Sequence, residues 1–555
     1  MQPSRNSPPR DAARPPGSLP IAPARRIERA GLAIVTLGLI LPFLAKPFHL
    51  DDPVYLAVAR QVLADPWKPY GFHFNWFGTS VPMWNVMLNP PGLGYLLAPL
   101  IRVLGEREVP LHLVFLAFPL LAAQSAYDIA RRFTPNPFRA ALLFAVAPMF
   151  AVSASTLMAD VPALSFSLAA LALLLTDIEG RRGAAVLSGI AASAAVLIKY
   201  NSIFVIPLLA LAAILLGRRP LRHFPAVLLP ILALVGWETI NFRDIGGSHL
   251  LSAVAIVGHE RRGMGEMILA AGSFLFLGMG SAPVLLTAAL GRRDGRIALA
   301  VAIPIAIGLV ARYGTSFGLS EAGPLALVVA MASAGGLAWV GLAILNGLSR
   351  SREALFLQAW LLGTLVQAVA FSYFVASRFL LPVLLPAILL PLRDHSPRAT
   401  RLAIVISAAL SLAVSSSDQD LARGYRDAAA TLHARYGTLG PRLRFQGHWG
   451  FQYYLEREGH RPLDDRALVF TAEDVLATPR WALPIHYHFQ TGPMGGGAVA
   501  EQEKPIDVVP RLPVTVMNRD TGAGFYCMDF GPLPFSWGAR KIEHIDVIRF
   551  KGGGR

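Results

Sequence analysis

Cysteine is almost missing: Cys527 is the only one in 555 residues. One thiol closes no intrachain disulfide and completes no metal cluster. Charge is scarce as well. Asp, Glu, Lys and Arg make up 15% of the chain, where soluble domains carry roughly 25%. Acidic residues are the scarcer sign, 35 against 50 Lys and Arg, which leaves a formal net charge of +15. The excess lies in short basic clusters between apolar runs. No basic domain with interleaved aromatics is visible, which argues against a nucleic-acid partner. Apolar residues dominate instead, at 54%, and mean hydropathy is +0.49. The repeated long apolar runs predict a polytopic α-helical membrane protein.

The N-terminal stretch is rich in Pro, Ser and Arg and predicts a disordered cytoplasmic tail over 1–29. It shows no short apolar core followed by a small-residue cleavage site, so the first apolar run, about 30–48, is expected to remain as a span. Arg25, Arg26 and Arg29 place the start of that span on the cytoplasmic side. The later basic gaps, "GRRPLR" (217–222), "GRRDGR" (291–296), "SRSRE" (349–353) and "RDHSPRATR" (393–401), fall on the same side. Less basic gaps near 155–160, 199–201, 241–263, 312–322 and 374–378 fall outside. This alternation predicts about 13 spans within a membrane domain over 30–416, with a first outer loop at 50–108. In that loop "NPPGLGYLLAPLIRVL" (89–104) is short for a span and predicts a helix on the membrane surface. After about residue 417 the composition changes. "RLRFQG", "RALVFTAED", "VTVMN" and "IDVIRF" read as strands and "HWGFQYYLEREGH" as a helix, which predicts a small outer α/β domain over 417–555.

Ionisable residues at the edge of spans are costly and usually face a cavity. The topology collects Asp51, Asp52, Asp160, Lys199, Arg312 and Arg378 on the outer side. In "DDPVYLAVARQVL" Asp52 directly precedes Pro53, the signature of a helix start. Asp51 is the better candidate for taking a proton from an attacking hydroxyl or amine. Asp160 precedes another helix with an early proline and is either a cap or a second acid that orients an acceptor or a metal. Lys199 either snorkels or binds a phosphate as a point charge. Arg378 either snorkels or grips a phosphate with paired donors, and Arg312, beside Tyr313, is a weaker form of the same idea. His49, His73, His249 and His259 are scattered, with no HxxxH pair to suggest zinc. The first outer loop is aromatic: Trp67, Tyr70, Phe72, Phe74, Trp76, Phe77 and Trp84. They form an interfacial belt, a sugar-stacking or lid surface over a cavity, or both.

This set resembles the GT-C glycosyltransferases that use a polyprenyl-phosphate sugar donor, in particular the bacterial relatives of protein O-mannosyltransferases and of the lipid A aminoarabinose transferase. The resemblance spans most of the chain. It rests on Asp51, Asp52, Tyr55 and Ala59 after the first span, and on Pro90–Pro91 in the first outer loop. It continues with Asp160, with Lys199, and with Arg378, Phe379, Pro382 and Pro386 late in the membrane domain. "GHWGFQYYLEREG" in the tail also looks like the outer domain of bacterial members. Asn89 departs from the pattern, since many relatives have a Lys before the Pro-Pro pair. The resemblance implies an inverting transfer in a bacterial cytoplasmic membrane. The donor would be a sugar on undecaprenyl phosphate, and the acceptor a lipid, a glycan or a protein. It implies Asp51 as general base, Asp52 and Asp160 as acceptor- or metal-orienting acids, and Lys199, Arg378 and Arg312 at the donor phosphate. A divalent metal is compatible with the acids and not demanded by them. The rival class is a membrane transporter or a flippase for lipid-linked sugars, for which charges at the membrane midplane would be expected. The charges here collect at the outer edge.

Overall fold

The computed structural model describes residues 21–259, 351–371, 374–392, 397–464, 470–482, 498–531, 533–538 and 541–552, with a few helical positions between 300 and 311. Among the described residues, five helices are long and apolar enough to cross a membrane: Glu108–Phe133, Asp160–Ile178, Pro220–Asp244, Arg352–Ala370 and Thr400–Arg442. Shorter apolar helices, Ala184–Ile198, Tyr200–Leu216 and Ser377–Leu390, lie between them. The chain is therefore a helical membrane protein. The expected basic gap at 291–296 and Arg312 lie outside the described residues, as do most of 260–350.

The first helix, α1, covers Ile21–Ile40, so the stretch 21–29 is helical rather than disordered. The reason is a specific partner: the Arg29 guanidinium pairs with Asp128 and donates to Gln124, tying the basic start of α1 to a neighbouring helix. The run 138–153 is two short helices, Pro137–Ala145 and Pro148–Ser153, because Pro148 starts a new helix where the first ends.

Helix α2, Asp52–Ala64, opens the first outer loop, and α3, Gly92–Leu104, follows a short hairpin of β1 (His73–Asn75) and β2 (Ser80–Pro82). The stretch 92–104 is thus helical, and it packs along α2. Gly94 makes this approach possible, since a Cβ there would lie 2.5 Å from Val58 Cγ1.

Helix α4 is α6's neighbour in the bundle: α4 covers Ala117–Phe133, α5 Pro137–Ala145, α6 Asp160–Ile178 and α7 Ala184–Ile198. Their buried faces, with those of Val205–Leu216 and Leu381–Leu392, form one large apolar core. The 19 residues of α6, at about 1.5 Å per residue, separate its ends by roughly 28 Å. At its C-terminal end the gaps expected inside meet: Arg132 lies 3.8 Å from Glu179 and 3.9 Å from Glu353, and Asp177 accepts from His223 at 2.8 Å. At its N-terminal end the gaps expected outside meet.

Helix α8, Pro397–Tyr436, runs 40 residues without a break, so the backbone shows no boundary at 417. It carries the chain from apolar surroundings into the C-terminal region while remaining helical. That region is β-rich. Strand β3, Leu443–Phe445, pairs in parallel with β4, Arg461–Pro462, and β5, Val475–Pro479. Strand β8, Glu543–Gly552, runs antiparallel to β5, to β6 (Ala498–Gln502) and to β7 (Ile506–Val508). A helix, Trp449–Arg457, fills "HWGFQYYLEREGH" as expected. "RALVFTAED" gives no strand over 470–474; the strand comes after it, at β5, and 465–469 lie outside the described residues. "VTVMN" splits into two short strand pairings, Val514–Thr515 and Met517–Asn518. The C-terminal region shares an apolar core with segments near the start of α2 and before α6: Phe48, Tyr55, Trp76 and Leu157 pack in the same cluster as Tyr425, Trp449, Phe451 and Phe525.

Candidate active site

Asp51 and Asp52 are adjacent but have different surroundings. Leu50, just before them, takes a left-handed backbone, φ 51°, which is unusual for a branched side chain. The two carboxylates then diverge, because successive positions at a helix start point about 100° apart around its axis. Asp52 is fully buried; its Oδ2 accepts the His49 N–H and its Oδ1 the Leu157 N–H, each at 2.9 Å. It staples the start of the outer loop to the segment before α6, and burial pushes its carboxyl up to about 7. It is the first residue of α2 rather than its cap, and it does not line the cavity described below. Each of its oxygens accepts one backbone N–H, so the structure places Asp52 beside the expected acceptor site and not in it. Asp51 holds the N-cap position, yet makes no capping hydrogen bond. Its carboxylate, about a third exposed, turns to Arg378 instead.

Arg378 lies in a short 3-10 turn, Ser377–Leu380, that follows extended Ala376. Its Nη2 donates to Asp51 Oδ2 at 3.2 Å, and its Nε lies 3.9 Å from Asp160 Oδ2. Asp160 is the first residue of α6, and its Oδ1 accepts from Lys199 Nζ at 2.5 Å. Lys199 follows the last residue of α7, where the chain turns extended. The Phe379 ring packs under both cations, 4.8 Å from Lys199 Nζ and 5.3 Å from Arg378 Cζ. Four residues that are up to 327 positions apart thus form one chain of alternating charge: Asp51, Arg378, Asp160, Lys199. All but Asp51 are buried, and pairing is what makes buried charge tolerable.

The four line one cavity of about 700 Å³. Tyr55 and Asn89 line it too, with the aromatic rings of Trp76, Phe77, His448, Trp449 and Phe530. Trp76 lies against the His448 ring, with ring centres 5.0 Å apart, and burial pushes the His448 imidazole down to about 3, so it is neutral. Of the outer-loop aromatics, then, Trp76 and Phe77 face the cavity, whereas Trp67 is solvent-exposed. A second, apolar groove opens from the same charges. Asp160, Lys199, Arg378 and Phe379 border it, and Leu164, Leu168, Leu208, Trp360 and Leu381 continue it between the membrane helices.

Pro90 and Pro91 do not reach the cavity. They start α3, and Gly92 at the corner packs so closely on the end of α7 that a Cβ would lie 2.4 Å from the Leu197 carbonyl oxygen. The Pro-Pro-Gly corner therefore braces the chain that carries Lys199. Asn89 lines the cavity and its carbonyl accepts from the Tyr70 hydroxyl. Arg312 lies outside the described residues. Among the described residues no group of three His, Cys, Asp or Glu side chains is placed to hold a metal ion; Asp51 and Asp160 are joined by a guanidinium.

Residues 88–238 match the family model of the dolichyl-phosphate-mannose-protein mannosyltransferases. That segment is of glycosyltransferase type. It holds Asn89, Asp160 and Lys199, while Asp51 and Arg378 come from either side of it. No curated protein matches the chain as a relative. Similar solved structures include AglB, the archaeal oligosaccharyltransferase from Archaeoglobus fulgidus, in complex with an inhibitory peptide and a dolichol-phosphate. It is 13% identical with a TM-score of 0.42, over 79% of this chain and 63% of that one. The chain thus spans less than two thirds of AglB. ArnT from Cupriavidus metallidurans, bound to undecaprenyl phosphate, is 16% identical with a TM-score of 0.43, over 83% of this chain and 94% of that one.

One pair escaped the sequence reading. Lys46 and Asp418 are both fully buried and ion-paired, with His49 Nε2 3.5 Å from Asp418 Oδ1. The signal was present as a lone Lys at the end of the first apolar run and as the first of two Asp residues, Asp418 and Asp420, at the end of the last. Each alone reads as a helix end.

Proposed function

We propose that the protein is a GT-C-type glycosyltransferase that moves a sugar from a polyprenyl-phosphate donor to a hydroxyl- or amine-bearing acceptor at the outer face of a bacterial cytoplasmic membrane. The observation that carries this reading is the shared border of the two cavities: Asp160, Lys199 and Arg378 face both the roomy outer cavity and the apolar groove. A lipid-linked phosphate has this amphipathic form. Its isoprenoid would lie along Leu164, Leu168 and Leu208, its phosphate would meet Lys199 and Arg378, and its sugar would enter the outer cavity. Arg378 supplies paired donors and Lys199 a point charge.

The acceptor would come from the aromatic side. Asp51 is the most exposed of the four charged residues and is held at one oxygen by Arg378. It would take the acceptor proton as the acceptor atom attacks the anomeric carbon. The bond from that carbon to the phosphate oxygen breaks, the electron pair leaves with the lipid phosphate, and configuration inverts. The departing phosphate gains negative charge beside two buried cations, where preorganised charge contributes several kcal/mol, roughly 3–4 per donor group. Asp160 keeps Lys199 and Arg378 in place for this step. Undecaprenyl phosphate as the lipid, and an outer location for the C-terminal domain, belong to the same proposal.

The test uses purified protein in lipid nanodiscs with labelled undecaprenyl-phosphate sugars and a membrane extract. Label should pass to an extract component with the opposite anomeric configuration. Substrate flux across vesicles with no transfer from any donor would instead make the protein a transporter.

A further inference from the structure

The outer domain does more than sit above the cavity. Its segment Phe525–Met528 clips onto the extended chain that leads into Arg378: the Ser377 N–H donates to the Phe525 carbonyl at 3.0 Å and the Met528 N–H to the Val375 carbonyl at 2.9 Å. Between these two hydrogen bonds lies Tyr526. Its ring centre is 5.9 Å from Arg378 Cζ, and it also lines the cavity. Its hydroxyl donates to Asp418 Oδ2 at 2.9 Å, and Asp418 is the buried partner of Lys46. The tyrosine is thereby fixed at both ends, by backbone on one side and by a buried ion pair on the other.

The loop that presents it is tightly built. The Gly524 N–H donates to the Leu533 carbonyl at 2.7 Å and the Phe525 N–H to the Val516 carbonyl at 2.9 Å. A Cβ on Gly524 would lie 2.2 Å from the Gly531 carbonyl oxygen, so the loop closes only around glycine. A guanidinium packed against an aromatic face is held in direction as well as in place. Phe374 and Phe379 also pack on Arg378, from the membrane domain. Tyr526 is the outer domain's share of that stack.

We propose that Tyr526 is a positioning residue: the outer domain, through Phe525–Met528, sets the direction of Arg378 for a lipid-linked phosphate, so the C-terminal region is a working part of the site. The identity of the ligand rests on the function proposed above; the contact does not.

The experiment uses the full chain in nanodiscs, with undecaprenyl phosphate as the probe, and compares Tyr526→Leu with Tyr526→Phe. Loss of the ring should weaken binding about five- to thirtyfold, the range from an exposed to a desolvated cation–π contact. Tyr526→Phe keeps the ring and should stay within about twofold of the native protein by the same principle. In an Arg378→Gln background, which has no cation for the ring to hold, Tyr526→Leu should cost nothing further; a remaining effect there means that Tyr526 acts by general destabilisation and overturns the proposal. Hydrogen exchange is read in parallel. The amides of Ser377 and Met528 should exchange faster in Tyr526→Leu while those of Val547 and Ile548 in β8 stay protected. If the native protein binds no undecaprenyl phosphate, the proposed function fails on its own, and exchange decides the contact: unchanged rates at Ser377 and Met528 overturn it, and faster rates support it.

Discussion

Lys46 and Asp418, 372 residues apart, form an ion pair with no solvent exposure on either side chain. It joins the chain just after α1 to the middle of α8, the helix that leads into the C-terminal region. Removing one partner of such a pair leaves an uncompensated buried charge, at a cost of roughly 3–5 kcal/mol. Lys46→Met is expected to lower the thermal midpoint of the detergent-solubilised protein by several degrees. Adding Asp418→Leu to it should restore part of the loss, because an apolar pair replaces a buried ion pair at little cost while the Tyr526 hydroxyl loses its acceptor. Thermal unfolding of the two variants checks this.

Gly92 predicts a second effect, at a distance from the chemistry. A methyl group at 2.4 Å from the Leu197 carbonyl forces α3 and the end of α7 apart. Overpacking of this kind costs about 1–3 kcal/mol, and here the displaced segment carries Lys199. Gly92→Ala should therefore reduce affinity for a polyprenyl phosphate by roughly tenfold, since about 1.4 kcal/mol suffices for that factor. Gly38→Ala, at a helical glycine with open space around it, should leave the affinity unchanged. Direct binding measurements on both variants separate the outcomes.

Glu543 gives the outer domain a pH dependence. It is fully buried, and desolvation pushes its carboxyl up to about 7, against the Tyr425 hydroxyl and the backbone N–H groups of Trp481, Ala482 and His544, which pull it down. Because the acid is harder to ionise folded than unfolded, its contribution is largest at low pH. It is lost as pH rises from the unfolded value of about 4.5 to the folded value of about 7. The change amounts to about 3 kcal/mol. Thermal stability should fall between pH 5 and pH 7 (roughly) from this group, and Glu543→Gln should flatten the profile. Melting curves at a series of pH values provide the check.

Much of the site was legible because buried charge is expensive. Asp51, Asp160, Lys199 and Arg378 stand out in an apolar sequence, and a single charge-based alternation places all of them on one side. The same logic passed over Lys46 and Asp418, since each ends an apolar run, where charge is expected. The split between Asp51 and Asp52 depends on partners far away in sequence, Arg378 for one and the Leu157 N–H for the other, which the local pattern does not name. The boundary at 417 marks a real change in composition, but a helix stays helical when its surroundings change from apolar to aqueous, and α8 does so for 40 residues. Pairings such as that of β5 with β8 join residues about 70 positions apart, and neither strand's local pattern names its partner. The contact between Tyr526 and Arg378 has no trace in either local sequence.

The account turns most directly on Asp51. Asp51→Asn removes a proton acceptor while keeping the shape of the side chain and a group able to face Arg378. Transfer of labelled sugar from undecaprenyl phosphate should fall by about a hundredfold or more, the range set by loss of a general base, while binding of undecaprenyl phosphate stays within a few-fold of native. Transfer at the native rate by Asp51→Asn would contradict the assignment of this cavity as the place where the acceptor loses its proton.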